Sequence, residues 1–306
     1  MAHFFAYLLL SHLLLLLGSS SWTDAARPIH DHDMHTHYYK PVKPFNHLAG
    51  SRKGDDVAGV RDVKGYLQRF GYLNYPKGKA LDDAFDDSLE QAILTYQDFF
   101  QLNKTGFLDT ETVSLMSKPR CGSPDIVPGE RGQLDHRRNY QTHYRLYPGR
   151  PRRASGQLYV AIRPSVPAEL VDAISQAFTD WEPHVPLVFV KSLREPINAA
   201  ADIRAGFYSG EHGDGSPFDG PGNVLAHASP GGGSVLHFDV DEKWAVGAVD
   251  DAMDVVTVAR HEIGHLLGLA HSPVRDALMY PSVGAGEVKE IGEDDVAGVT
   301  ALYYGG

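Results

Sequence analysis

Cysteine is almost missing from this chain: its 306 residues include one, Cys121. A single thiol closes no internal disulfide, so no covalent staple holds the fold. Cys121 is left with an intermolecular partner, a metal, or no role. Positive charge is the minority sign. Lys and Arg number 28 against 39 Asp and Glu, a formal net charge of −11. That balance argues against nucleic acid as a partner, and clustered carboxylates suit calcium. Long apolar runs are scarce too. The one at residues 4–17 is too short and too near the N-terminus for an ordinary transmembrane helix. Gly18-Ser19-Ser20-Ser21 and Ala25-Ala26 follow it, so residues 1–26 read as a secretory signal peptide, with a signal anchor as the alternative. No other run suits a bilayer span, and residues 301–306 lack the tail of a glycolipid-anchor signal. The expectation is a secreted, extracellular chain.

What is present points to a real core. Hydrophobic residues make up 42% of the chain, and its length allows one large domain or two smaller ones. Residues 27–54, with His30, His32, His35 and His37, read as a disordered leader; weak metal binding is the alternative. Two amphipathic helices follow. Val60, Val63, Leu67 and Phe70 fall at helical spacing, as do Leu89, Ala92, Ile93, Tyr96 and Phe100. A third short helix over Asp109–Met116 completes a small helical domain over residues 55–118. Asn103-Lys104-Thr105 is a glycosylation acceptor sequence. Pro119-Arg120-Cys121-Gly122-Ser123-Pro124-Asp125 reads as stiff and extended. Residues 126–143 read as an exposed linker open to proteolysis, with a cut expected between Arg137 and Tyr144. Beyond it, strands over Gln157–Ile162, Pro186–Val190 and Ala201–Tyr208 surround a helix over Pro167–Trp181. A helix between the first two strands predicts that they pair in parallel.

The chemistry is concentrated in His261-Glu262-Ile263-Gly264-His265-Leu266-Leu267-Gly268-Leu269-Ala270-His271. On a helix, His261 and His265 share one face and can grip one zinc. Gly268 lets the helix stop in a left-handed turn that returns His271 as a third ligand. Three protein ligands leave a fourth position open, the pattern of a catalytic zinc. Glu262 sits beside the first ligand, within reach of a water on the metal. A Cys121 thiolate is itself a good zinc ligand and can fill that fourth position while its tether is intact.

These motifs resemble the matrixin family of metzincins. The likeness rests on the three-histidine motif, Ser272 after it, Leu278-Met279-Tyr280-Pro281 beyond, and the heptapeptide around Cys121. It covers roughly residues 55–306 and implies an α+β architecture. A small three-helix propeptide domain, similar to peptidoglycan-binding modules, precedes a catalytic domain over residues 144–306 with a twisted mixed sheet and three helices. The resemblance implies that Met279 forms a turn beneath the zinc; filling the core is its plainer role. It implies that residues 119–125 are a cysteine switch with Ser123 at the variable position, supported by an Arg120–Asp125 salt bridge. It also implies that Leu225 and Ala226 form an edge strand that pairs with extended substrate. One of Asp294 and Asp295 would meet the new N-terminus after activation, or else simply favour a helix start. With no room for a hemopexin-like domain, the chain resembles the short plant-type members.

Between residues 208 and 243 the chain turns irregular and ligand-rich. His212, Asp214, His227 and His237 supply four ligands, enough for a closed structural zinc, and match that site in matrixins. The alternative is separate surface histidines. Asp219, Asp239 and Glu242, with the carbonyl of Gly220, suit calcium, as in the family; a solvated acidic loop is the alternative. A second calcium is in doubt because Val235 stands where the family has an acid, although Asp202 and the carbonyls of Gly231 and Gly233 remain. The expectation is therefore a secreted, monomeric precursor of a zinc endopeptidase acting on extracellular proteins, with Glu262 as its base. The rivals are a non-catalytic module that keeps zinc for structure and a matrix-binding protein that uses its helical domain.

Overall fold

The computed structural model describes residues 27–28, 45–76, 79–127, 143–147, 156–163, 166–192, 201–229 and 234–305. The expected signal peptide, the His30–His37 cluster, most of the linker, Gly231 and Gly233 lie outside them. In chain order the first elements are β1 (Arg27–Pro28), α1 (Val60–Arg69), α2 (Asp87–Phe99) and α3 (Thr110–Met116). Next come β2 (Arg120–Cys121), β3 (Arg145–Leu146), β4 (Gly156–Ile162), α4 (Ala168–Trp181), β5 (Leu187–Ser192) and β6 (Ile203–Tyr208). The remainder are β7 (Val224–Ser229), β8 (Ser234–Asp239), β9 (Trp244–Val246), β10 (Met253–Asp254), α5 (Val255–Leu267), β11 (Leu269–Ala270) and α6 (Glu293–Tyr303).

The first core is helical. Asp86 and Asp109 cap α2 and α3, accepting hydrogen bonds from the amides of Leu89 (2.9 Å) and Thr112 (2.8 Å). Such caps satisfy amides that the first turn leaves without partners. The faces expected from spacing are the buried ones, from Val60 and Val63 through to Phe100. The domain begins before residue 55, however. Phe45 and Leu48, expected in a disordered leader, are buried in this core. The polar, His-rich composition around them concealed two apolar residues that the three short helices need to close their core.

The second core lies between a sheet and two helices. The sheet has six strands in the order β2-β7-β8-β6-β4-β5. β4 pairs in parallel with both β5 and β6, and β6 with β8. The predicted parallel pair is therefore present, bridged by α4. β7 alone runs antiparallel to its neighbour β8, and β2 joins its free edge in parallel. α4 and α5 cover the sheet, with Trp181, Phe178, Ile174 and Ile263 fully buried between them. The indole Nε1 of Trp181 donates to the carbonyl of Arg260 (2.9 Å), which ties α4 to α5 at the depth of the motif. This mixed sheet with three helices, behind a helical domain, is the α+β architecture expected. Among the described residues no helix is long and apolar enough to cross a membrane.

Candidate metal centres

α5 starts and stops where its sequence says it should. Asp254 caps it by accepting from the amide of Thr257 (2.9 Å). Gly268 ends it at φ 113°, a left-handed conformation that glycine adopts without strain. The chain then runs back as β11, which pairs antiparallel with β3 and carries His271 to the helix. The Nε2 atom of His271 lies 3.1 Å from that of His265 and 3.1 Å from that of His261. Cys121 Sγ lies 3.4 Å from His265 Nε2, and all four groups are buried.

The hydrogen bonds behind the rings fix which nitrogens face inward. His261 Nδ1 donates to the carbonyl of Leu278 (2.7 Å), His265 Nδ1 to that of Leu269 (2.9 Å), and His271 Nδ1 to the Asp125 carboxylate (2.6 Å). Each acceptor oxygen keeps the proton on Nδ1, so three Nε2 lone pairs converge on one point. Burial pushes His261 and His271 below their ordinary pKa, so both rings are neutral. Burial and then the Glu262 carboxyl push the Cys121 thiol well up, so a thiolate here needs a cation beside it. Tetrahedral zinc with bonds of about 2.0–2.1 Å to nitrogen and 2.3 Å to sulfur sets N···N near ~3.3–3.4 Å and S···N near ~3.5–3.6 Å. The donor set, its protonation and its spacing all fit that ion.

Glu262 is buried, and neither carboxylate oxygen has a hydrogen-bond partner. Burial pushes its pKa up to about 8. Met279 lies under the helix: a Cβ added to Gly264 would stand 2.4 Å from its sulfur. The glycine between the two helical histidines is thus what lets the methionine turn approach. Asp295 holds that turn, accepting from the amides of Leu278 (2.9 Å) and Met279 (3.0 Å). Asp294 does something else. It accepts from the His143 amide (2.6 Å) and the Ser272 hydroxyl (2.7 Å), so it is the acid that meets the start of the second domain.

Residues 119–125 fill the cleft between β7 and the Pro281–Val283 segment. The Arg120 amide donates to the Asn223 carbonyl (2.6 Å), Gly122 to Ala226 (2.8 Å), and Cys121 to Pro281 (2.9 Å). Gly122 has to be glycine: an added Cβ would lie 2.8 Å from a Val224 methyl. The edge expected at Leu225 and Ala226 is therefore occupied by residues 119–125. Arg120 and Asp125 are both fully buried and paired at 2.6 Å. Arg120 also donates to Tyr66 (2.9 Å) and lies 3.5 Å from the centre of the Phe70 ring. Tyr72 donates to Asp125 (2.8 Å). Burial alone would raise the Asp125 pKa; the Arg120 guanidinium and His271 hold it down at about 2.

The second histidine cluster also assembles. His227 on β7 stands directly opposite His237 on β8. Asp214 Oδ2 lies 3.0 Å from His212 Nε2, 2.7 Å from His227 Nε2 and 2.9 Å from His237 Nδ1. His212 Nδ1 is committed to the Gly210 carbonyl (2.8 Å), which leaves a bare Nε2 facing the carboxylate. That opposition calls for a cation between them. Burial, then His227, push His237 down to about 4. The third group is acidic. Burial pushes Asp239 up to about 7 and Glu242 up to about 8, and Asp219 adds to both shifts. Asp239 Oδ2 is buried without a partner, and Glu242 accepts from the Gly222 amide (2.6 Å). One buried and two half-buried carboxylates that repel one another fit a hard cation. The Gly220 carbonyl lies in the same loop. Asp202, considered for a second calcium, accepts from the Tyr159 amide through Oδ2 (2.8 Å).

Comparison with known proteins fits this geometry. Residues 160–304 match the Matrixin family model, and residues 56–116 match that of a putative peptidoglycan binding domain. Metalloendoproteinase 5-MMP of Arabidopsis thaliana is 42% identical over 277 residues, covering 85% of this chain and 75% of that protein. The chain belongs to the matrixin family. Metalloendoproteinase 1 of Glycine max is 37% identical over 261 residues, covering 82% and 83% of the two chains. Human matrilysin is 37% identical over 247 residues, covering 78% and 83%. As a matrixin the chain is a zinc metalloendopeptidase. Three contributors to this matrixin site were not foreseen. Asp125 bonds His271, Asp295 anchors the Met279 turn, and the Tyr147 hydroxyl lies 3.3 Å from His265 Nδ1.

Proposed function

We propose that this matrixin is a secreted zymogen that cleaves extracellular proteins once its leader is cut. His261, His265 and His271 hold the catalytic zinc, and Cys121 fills the fourth position until activation. The observation that carries this is the sulfur 3.4 Å from His265 Nε2, delivered by a strand laid along β7. Bound there, zinc would polarise the scissile carbonyl and lower the pKa of a water toward ~7. Glu262 takes a proton from the attacking water and passes it to the leaving amine. Its two unpartnered oxygens suit that task; a purely structural site has no use for a buried base. Extended substrate takes the place that residues 119–125 vacate beside Leu225 and Ala226. Asp294 receives the new N-terminus, and Met279 supports the histidines from below.

His212, Asp214, His227 and His237 hold a structural zinc, and Asp219, Gly220, Asp239 and Glu242 a calcium. Asn103 is exposed beyond α2 and is the proposed glycosylation site. The deciding experiment is Cys121→Ala in the full chain, with peptide hydrolysis followed with and without a chelator. The variant should turn over peptides without added protease, and chelation should silence it. A stable variant that stays inactive would remove Cys121 from the account.

A further inference from the structure

Asp125 lies within the leader, 146 positions before His271, yet its Oδ1 is 2.6 Å from that ring's Nδ1. Both side chains are fully buried. The same oxygen receives Arg120 at 2.6 Å, and the other oxygen receives Tyr72 at 2.8 Å. His261 and His265 lean on carbonyls instead. His271 is thus the one of the three rings backed by a charged acceptor, and that acceptor belongs to the part that activation removes. A carboxylate behind a metal-binding imidazole fixes its tautomer and makes its inward nitrogen a stronger donor.

We propose that Asp125 is a positioning residue for His271, so that the leader contributes two groups to the metal centre, a thiolate on the metal and a carboxylate behind one of its histidines. Cutting the leader then withdraws both. The intact chain holds its metal more firmly than the mature enzyme, and it does so through His271 as well as through sulfur. This rests on the reading of His261, His265 and His271 as the catalytic metal site.

The test uses the full chain carrying Glu262→Gln, which cannot digest itself, loaded with Co2+ in place of zinc. Paramagnetic proton NMR resolves one exchangeable Nδ1–H signal for each metal-bound imidazole, and thiolate-to-cobalt absorption reports that Cys121 is in place. Hydrogen bonds to charged acceptors are roughly twice as strong as neutral ones. Asp125→Asn should therefore move one of the three signals and speed its exchange with deuterated water about tenfold. The thiolate absorption and the other two signals should stay. Three unchanged signals overturn the proposal. If the variant loses its thiolate absorption, the activated enzyme with its leader removed supplies the comparison. There the His271 proton alone should exchange faster than in the intact chain, and equal exchange at all three rings overturns the proposal as well. A chain that takes up no cobalt at these histidines would instead sink the metal-site reading and this proposal with it.

Discussion

Arg120→Met offers the sharpest test of how the leader is held. The guanidinium is fully buried, paired with Asp125 at 2.6 Å, hydrogen-bonded to Tyr66 and to the Cys121 carbonyl, and stacked on Phe70. Methionine fills much of the volume but leaves the Asp125 charge buried with only neutral partners. Removing one member of a buried pair costs about 3–5 kcal/mol. No discount for solvent applies, because neither side chain is exposed. The whole penalty falls on the docked state, since in the opened leader Asp125 meets water. At tenfold per ~1.4 kcal/mol, the opened population should rise by about 10²- to 4 × 10³-fold. Cys121 alkylation reads that population directly when reclosing outruns the reagent. The measurement is the iodoacetamide rate in the Glu262→Gln chain with and without Arg120→Met. A rise below about tenfold would mean that the metal–thiolate bond alone holds the leader, and the ion-pair reasoning would be wrong.

Glu262→Gln should lower peptide hydrolysis by ~10²–10⁴-fold while zinc content stays unchanged; hydrolysis near the normal rate would acquit Glu262 as the base. Gly264→Ala drives a methyl into the Met279 sulfur and should cost ~1–3 kcal/mol, read as a lower denaturant midpoint of the mature domain. An unchanged midpoint would show that the Met279 turn yields freely. The acidic trio gives a pH signature. Asp239 and Glu242 have folded pKa values raised to about 7 and about 8 from 3.8 and 4.5. Their contribution to stability is complete below pH ~4 and is lost as pH climbs through ~7–8. Chelator-treated protein should therefore melt lower at pH 8 than at pH 6, and calcium should close that gap. A gap that calcium leaves untouched would count against the site.

The metal-binding helix was legible because its signals are local. Spacing of four puts His261 and His265 together, Gly268 supplies the turn, and β-strand pairing follows from a helix between two strands. The apolar faces of α1 and α2 were legible for the same reason. Long-range partnerships were not. Asp125 has no sequence signal for His271, because the contact exists only once residues 119–125 lie in the cleft. Asp294 and Asp295 look alike as acids at a helix start, and only the depth of each decides which grips Leu278 and Met279. Phe45 and Leu48 were lost in polar surroundings.

The helical core is not the leader's alone. Phe218 and Val224 belong to the later part of the chain yet are buried among the leader's aromatics, and Tyr280 packs against them. Were the leader removed as proposed, these greasy side chains would face water beside the groove proposed for substrate. That removal would unveil a sticky strip where a polypeptide is to be captured, and in the intact chain the leader sheathes it. Enzyme made without a leader should clump during refolding, and leader supplied as a separate piece should keep it dispersed.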